Sequence, residues 1–151
     1  MKSIVEQFQI SGEFLEARRY GTGHLHDTFL VNMAAQKEPV PYIFQRINQV
    51  AFRDPGILME NIVRVTGFIR QKLEARHSTG RDLSRRVLSV IFTRDGHSYY
   101  RDSDGCCWRA YLFIDGARTF DSLESLEQAY QVALMFGRFL VQLEDFPGPP
   151  L

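Results

Sequence analysis

The chain has 151 residues, 18 basic against 18 acidic, with 44% hydrophobic and 24% charged side chains. That length suits about one domain of the usual ~100–200 residues, and the composition is that of a globular protein, not a disordered one. Charge of both signs is spread evenly, which argues against a nucleic-acid footprint. No apolar run approaches the ~18 residues that span a bilayer. Glu6 and Gln7 interrupt the stretch that a signal peptide needs. A cytoplasmic protein without membrane contact is expected. Cys106 and Cys107 are adjacent, and a bond between neighbours closes a strained ring. No CxxC or His cluster completes a tetrahedral metal set, so both thiols are expected free.

Residues 14–21, FLEARRYG, read as a strand of mixed polarity, and 21–27, GTGHLHD, as a short loop. TFLVNM (28–33) is a second strand, AAQKEPVP a polar turn, and YIFQRIN (42–48) a third strand. These connections are too short for crossover helices, so the strands are antiparallel. Asp54-Pro55 then pairs an N-cap with proline at the first helical position. Leu58, Ile62, Val65 and Ile69 form one stripe of a helix ending near Arg76. HSTGRDLSRR reads as a loop and RVLSVIFT (86–93) as a fourth strand. Asp95-Gly96 and Asp104-Gly105 carry hairpin chemistry on either side of a short strand, SYYRD. CWRAYLFID (107–115) is the last strand, broken by Gly116. Asp121 to Glu124 forms a capping box with Asp in the Ser/Thr place, opening a helix to about Leu143. Leu126, Tyr130, Ala133, Gly137, Leu140 and Val141 lie along one side of it, and PGPPL ends the chain. The expected fold is α+β: an antiparallel sheet of five or more strands with one inserted helix, then a final helix past a glycine.

Four features bear on chemistry. Gly21 and Gly23 sit between two strands, where backbone N–H groups can turn towards an anion; two glycines also make an ordinary hairpin. Arg46 shares a strand face with Tyr42 and Phe44, and a cation there needs a partner. Glu60 follows on the inserted helix. In kinase folds a basic residue on the third strand pairs with a helix carboxylate and holds nucleotide phosphates; unrelated surface charges are the alternative. Phe113 to Gly116 ends a strand before a capped helix, as an interlobe hinge does, and its backbone could meet an adenine edge. His24 and His26 lack a third ligand nearby for a metal.

Together these stretches carry a resemblance. GTGHLHDTFLV, YIFQRIN, FRDPGILMENIVRVT and DGHSYYRDSDGCCWRAYLFIDGARTFD resemble the N-terminal part of the aminoglycoside-phosphotransferase-like kinases. The likeness is greatest to the N-acetylhexosamine 1-kinase (mucin desulfatase) branch. It covers roughly residues 8–146 and implies a protein-kinase-like N-terminal lobe over 1–115, then a hinge and the first helix of a C-terminal lobe over 116–151. It also implies ATP with Mg²⁺ and phosphoryl transfer to the anomeric hydroxyl of an amino sugar. Carried over, Gly21, Gly23 and Thr28 match the phosphate loop, and Arg46 the third-strand cation, usually Lys. Glu60 matches the helix carboxylate, Phe113 and Asp115 the hinge, and His24 and Asp27 a sugar contact. The HxD-type catalytic loop and metal-binding Asp of such kinases have no counterpart in these 151 residues. The expectation is therefore a nucleotide-binding portion, inactive alone. The alternatives are a non-catalytic nucleotide- or protein-binding module, or a kinase of the superfamily acting on choline, homoserine or an aminoglycoside. Arg46 and Glu60 are expected to form an ion pair. Residues 122–143 are expected to self-associate or to leave an apolar face open.

Overall fold

Six strands pair into one antiparallel sheet in a computed structural model that describes residues 1–75, 80–117, 120 and 122–148. They are β1 (Phe14–Arg19), β2 (Asp27–Met33), β3 (Val40–Arg46), β4 (Val90–Ile91), β5 (Tyr100–Arg101) and β6 (Cys107–Leu112). The order is β1-β2-β3-β6-β4, and β5 pairs with the beginning of β6. Helix α1 (Lys2–Val5) precedes the sheet. Helices α2 (Pro55–Ala75) and α3 (Gly80–Arg86) lie between β3 and β4, and α4 (Leu126–Gln142) comes last. The architecture is α+β.

Residues paired across a ladder point to the same side, so the register divides the sheet into two faces. One face carries Phe29, Val31 and Met33 of β2, Tyr42 and Phe44 of β3, and Trp108 and Ala110 of β6. The N-terminal segment seals it. Val5, Phe8 and Ile10 join Val31, Met33, Phe44, Trp108 and Ala110 in one buried cluster, and Phe8 meets Phe44 edge to face at 5.2 Å. Burying a side chain such as Phe8 stabilises by roughly 1.5–3 kcal/mol. The segment is also tied by main chain: Gln9 N–H donates to the Phe92 carbonyl and Arg94 N–H to that of Gln7, each at 2.8 Å. Gly12 makes the return possible. Its φ is +99°, and a Cβ there would stand 1.8 Å from the Ala34 carbonyl oxygen. The sequence pattern assigns no element before residue 14, because a four-residue helix is too short to show a period.

The opposite face carries Thr28 and Leu30 of β2, Ile43 and Gln45 of β3, and Cys107, Arg109 and Tyr111 of β6. Helix α2 covers one end of it, with Met59 buried against Ile47 and Cys107. Farther along α2, Ile69 and Leu73 pack on Leu83 and Val87 at α3. The buried line therefore moves around α2: Pro55, Met59, Ile69 and Leu73 are its buried residues, whereas Leu58, Ile62 and Val65 of the expected stripe are half-buried. Both cysteines are free, Cys107 on the α2 side and Cys106 against the other cluster.

Several boundaries differ from expectation. Residues 80–86 form α3 instead of a loop, held by Leu83, a signal too short for periodicity. Arg76, the expected end of α2, lies outside the described residues, as do 149–151. Strand β4 is short because the chain past it turns to the N-terminal segment, where Thr93 bridges Phe8. Asp121 also lies outside the described residues. The N-cap of α4 is Ser125, whose Oγ accepts from Gln128 N–H at 3.2 Å; Ser125-Leu-Glu-Gln128 is itself a capping pattern.

No residue of α4 is buried. The end of α4 and the tail beyond it touch the body. Lys72 Nζ donates to the Gln142 carbonyl at 2.8 Å and pairs with Asp145. Phe146 sits edge-on to Phe68 at 5.2 Å, with Arg64 over its ring. No described helix is long and apolar enough to cross a membrane.

Candidate functional site

The β1–β2 turn closes where Tyr20 N–H donates to the Thr28 carbonyl at 2.9 Å. Gly21 has φ +78°, and a side chain on Gly21 or Gly23 would meet open space, so the glycines serve the turn without being forced by a packed neighbour. Beside the turn is a cavity of about 380 Å³ lined by Gly23, His24, Asp27, Arg46, Arg19 and His26, among others. Four of the expected site residues thus meet here.

Asp27 is the hub of this cavity. It lies directly opposite Arg46 in the β2–β3 ladder and pairs with both Arg46 and Arg19, the latter at 2.8 Å. The hydrogen bond from Arg46, aided by the positive charge of both arginines, holds the Asp27 carboxyl below its ordinary range. Two guanidinium groups on one carboxylate leave the cluster with net positive charge and spare N–H donors. His26 links the turn to the chain after β3: its Nδ1 accepts from Asn48 N–H at 3.2 Å, and its ring stacks on Phe52 at 5.3 Å. Partial burial, with the Arg109 charge, lowers its pKa below the ordinary 6.5.

The expected Arg46–Glu60 ion pair is not formed. Arg46 belongs to the face sealed by the N-terminal segment, and α2 packs on the other face. Asp27, its cross-strand neighbour, takes the guanidinium instead. Glu60 is exposed and lines a separate cavity with Gly56, Arg64 and His97.

Thr28 points to the α2 side, away from Asp27, and there a second polar group runs across three strands. Gln45 Nε2 donates to Thr28 Oγ1 at 3.0 Å, and Arg109 Nε donates to Gln45 Oε1 at 3.0 Å. The Arg109 guanidinium carbon lies 5.4 Å from the centre of the Tyr111 ring. Arg109 is 8% exposed and Tyr111 5%. Burial lowers the Arg109 pKa and pushes that of Tyr111 up to about 12, the neighbouring cation opposing the second shift. Tyr20, from the glycine turn, meets Phe113 edge to face at 5.6 Å. Phe113 N–H is already bonded to the Pro41 carbonyl at 3.2 Å, and the Asp115 carbonyl accepts from Arg85.

The expected residues therefore divide. Gly23, His24, Asp27 and Arg46 share one cavity; Thr28 and Phe113 belong to the α2 side; Glu60 joins neither. Gln45, Arg109 and Tyr111 were missed. The argument applied to Arg46, a cation in an apolar strand, applies more strongly to Arg109 at the centre of CWRAYL. Among the described residues no cluster of three or more His, Cys, Asp or Glu is placed to hold a metal ion. No protein-family model matches the sequence.

Proposed function

We propose that this chain is the nucleotide-binding portion of an ATP-dependent phosphotransferase acting on a sugar hydroxyl, of the N-acetylhexosamine 1-kinase type. The observation that carries the reading is the α2-side face of the sheet. Apolar Leu30 and Ile43 share this face with the Thr28–Gln45–Arg109 polar line, and Tyr20 and Phe113 form an aromatic pair. An apolar and aromatic wall with a few convergent polar groups suits a planar base joined to a polar tail. The element order supports the same reading: a glycine turn between two paired strands, a third strand, a long helix, and a last strand returning beside the third. Glu60 does not support it, since it stands apart from both arginines. The polar line fits the phosphates of ATP, but no described residues form a metal cluster, so Mg²⁺ enters the proposal as the ion that accompanies the nucleotide.

Isothermal titration with Mg·AMP-PNP tests this, and binding is expected. Phosphoryl transfer is nearly all positioning and charge neutralisation, and these residues include no HxD loop. Incubation with ATP, Mg²⁺ and N-acetylglucosamine is expected to give no sugar 1-phosphate; turnover at ~1–100 per second, typical of kinases, would contradict the reading. A second reading, a protein-binding module, draws on the exposed apolar side of α4. Absence of nucleotide binding together with association through α4 would favour it.

A further inference from the structure

A buried cation needs a counter-charge or a full set of acceptors, because removing it from water costs several kcal/mol. Arg109 has neither. It is 8% exposed, and Gln45 Oε1, a neutral oxygen, is its one hydrogen-bond acceptor among the described residues. Arg19, Arg46 and Lys72 each have a carboxylate partner, whereas no ion pair among the described residues includes Arg109. Both terminal nitrogens of its guanidinium thus lack a partner. The hydroxyl of Tyr111, on a residue 5% exposed, also has none among the described residues. Yet no fully enclosed side-chain nitrogen or oxygen among the described residues is left unbonded. The unused Arg109 nitrogens and the Tyr111 hydroxyl therefore each touch open space, while their stems are packed in the sheet.

This arrangement differs from the glycine-turn cavity, where both arginines already pair with the Asp27 carboxylate and are far more exposed. There an incoming anion competes with a carboxylate. At Arg109 it meets a fixed, unneutralised fork on a rigid strand. Gln45 holds Nε and so orients the plane of the guanidinium, leaving the terminal N–H groups for a bidentate acceptor.

We infer that Arg109 is the anion-binding residue of this face, and that its ligand is a phosphate-bearing molecule, bound bidentately by the two terminal nitrogens with Tyr111 as a second donor. The inference rests on the proposed nucleotide reading for the identity of the whole ligand, but not for the anion site itself. A nucleotide and a free phosphate share the chemistry, and the choice of probes separates them.

The test is calorimetric titration of wild type, Arg109→Gln and Arg46→Gln with AMP-PNP, pyrophosphate and adenosine, with circular dichroism to check the fold. Loss of a charged hydrogen bond worth ~1.5–3 kcal/mol predicts a fall of about 10–100-fold in affinity for AMP-PNP and pyrophosphate in Arg109→Gln. Adenosine affinity is expected to stay the same. A loss confined to Arg46→Gln would overturn the inference and return the anion to the glycine-turn cavity. Undiminished AMP-PNP binding by Arg109→Gln would overturn it while leaving the nucleotide reading in place. Pyrophosphate binding that depends on Arg109, with no gain from adenosine, would sustain the anion site and sink the nucleotide reading. Should Arg109→Gln not fold, the Arg109 Nε–H resonance of the labelled wild type decides: it is expected to shift with pyrophosphate, and no shift at millimolar pyrophosphate overturns the inference.

Discussion

Helices α2 and α4 are both long and both amphipathic, and α4 is the more strongly so. Yet α2 buries Pro55, Met59, Ile69 and Leu73, whereas α4 buries nothing, with Leu126 91%, Phe136 61% and Val141 67% exposed. The difference lies in the surface each helix meets. The sheet has two faces: the N-terminal segment fills one, and α2 takes the end of the other. What remains of the second face combines Leu30, Ile43 and Tyr111 with the polar line of Thr28, Gln45 and Arg109, a mixed surface that suits a ligand with a polar part better than an apolar helix. Amphipathicity records that a helix needs a partner, not that the partner lies within these residues.

The largest test of this contrast compares truncations in the two regions. Phe44→Ala, at the fully buried centre of the sheet, is expected to lower the unfolding free energy by about 3–5 kcal/mol in urea titration. Leu126→Ala should change it by less than ~0.5 kcal/mol. Comparable losses would mean that α4 belongs to the cooperative core. A smaller effect is expected at the tail. Phe146→Ala removes an edge-to-face contact with Phe68 and a cation–π contact with Arg64, a loss of about 1 kcal/mol. Hydrogen exchange should rise in α4 and not in β2, β3 or β6.

An exposed apolar surface of this kind normally marks a contact site. Light scattering is expected to give a mass above the 17.5 kDa of one chain. The pair Phe136→Lys and Val141→Lys should return it to a single chain at nearly unchanged stability. A wild-type monomer would remove self-association from the account. The smallest expected effect is on pH. His26 is held neutral in the fold, its pKa below the ordinary 6.5. The unfolded chain therefore takes up the proton first, and stability falls as pH drops from about 6.5 towards the lower folded value. His26→Gln should flatten that part of the stability profile; an unchanged slope would show that His26 does not contribute to it.

Much of the fold was legible because its signals are local. Asp54-Pro55 starts α2 at the expected residue, and the Asp104-Gly105 turn joins β5 to β6. The alternation in YIFQRIN correctly groups Arg46 with Tyr42 and Phe44. What alternation does not reveal is which face a distant helix will cover. That missing fact misdirected the pairing with Glu60 and hid Arg109, whose strand reads as continuously apolar on both sides. The N-terminal segment was illegible for a related reason: Phe8 and Ile10 gain their meaning from long-range packing, and Gly12 from the carbonyl of Ala34. The start of α4 lies later than expected because a second capping pattern follows the first directly, and at Ser125 the hydroxyl accepts from Gln128 N–H.

The central claim is that the ligand face of the sheet is the one shared with α2. Side-chain nuclear magnetic resonance on the labelled protein tests it in one titration with Mg·AMP-PNP. The account predicts shifts of the Gln45 side-chain amide, the Thr28 and Ile43 methyls and the Arg109 Nε–H. The Trp108 indole N–H, bonded to Asp102 on the opposite face at 2.8 Å, should stay in place with the Val31 methyls. Shifts at Trp108 and Val31 without those at Gln45 and Arg109, or no shifts at all, would contradict it.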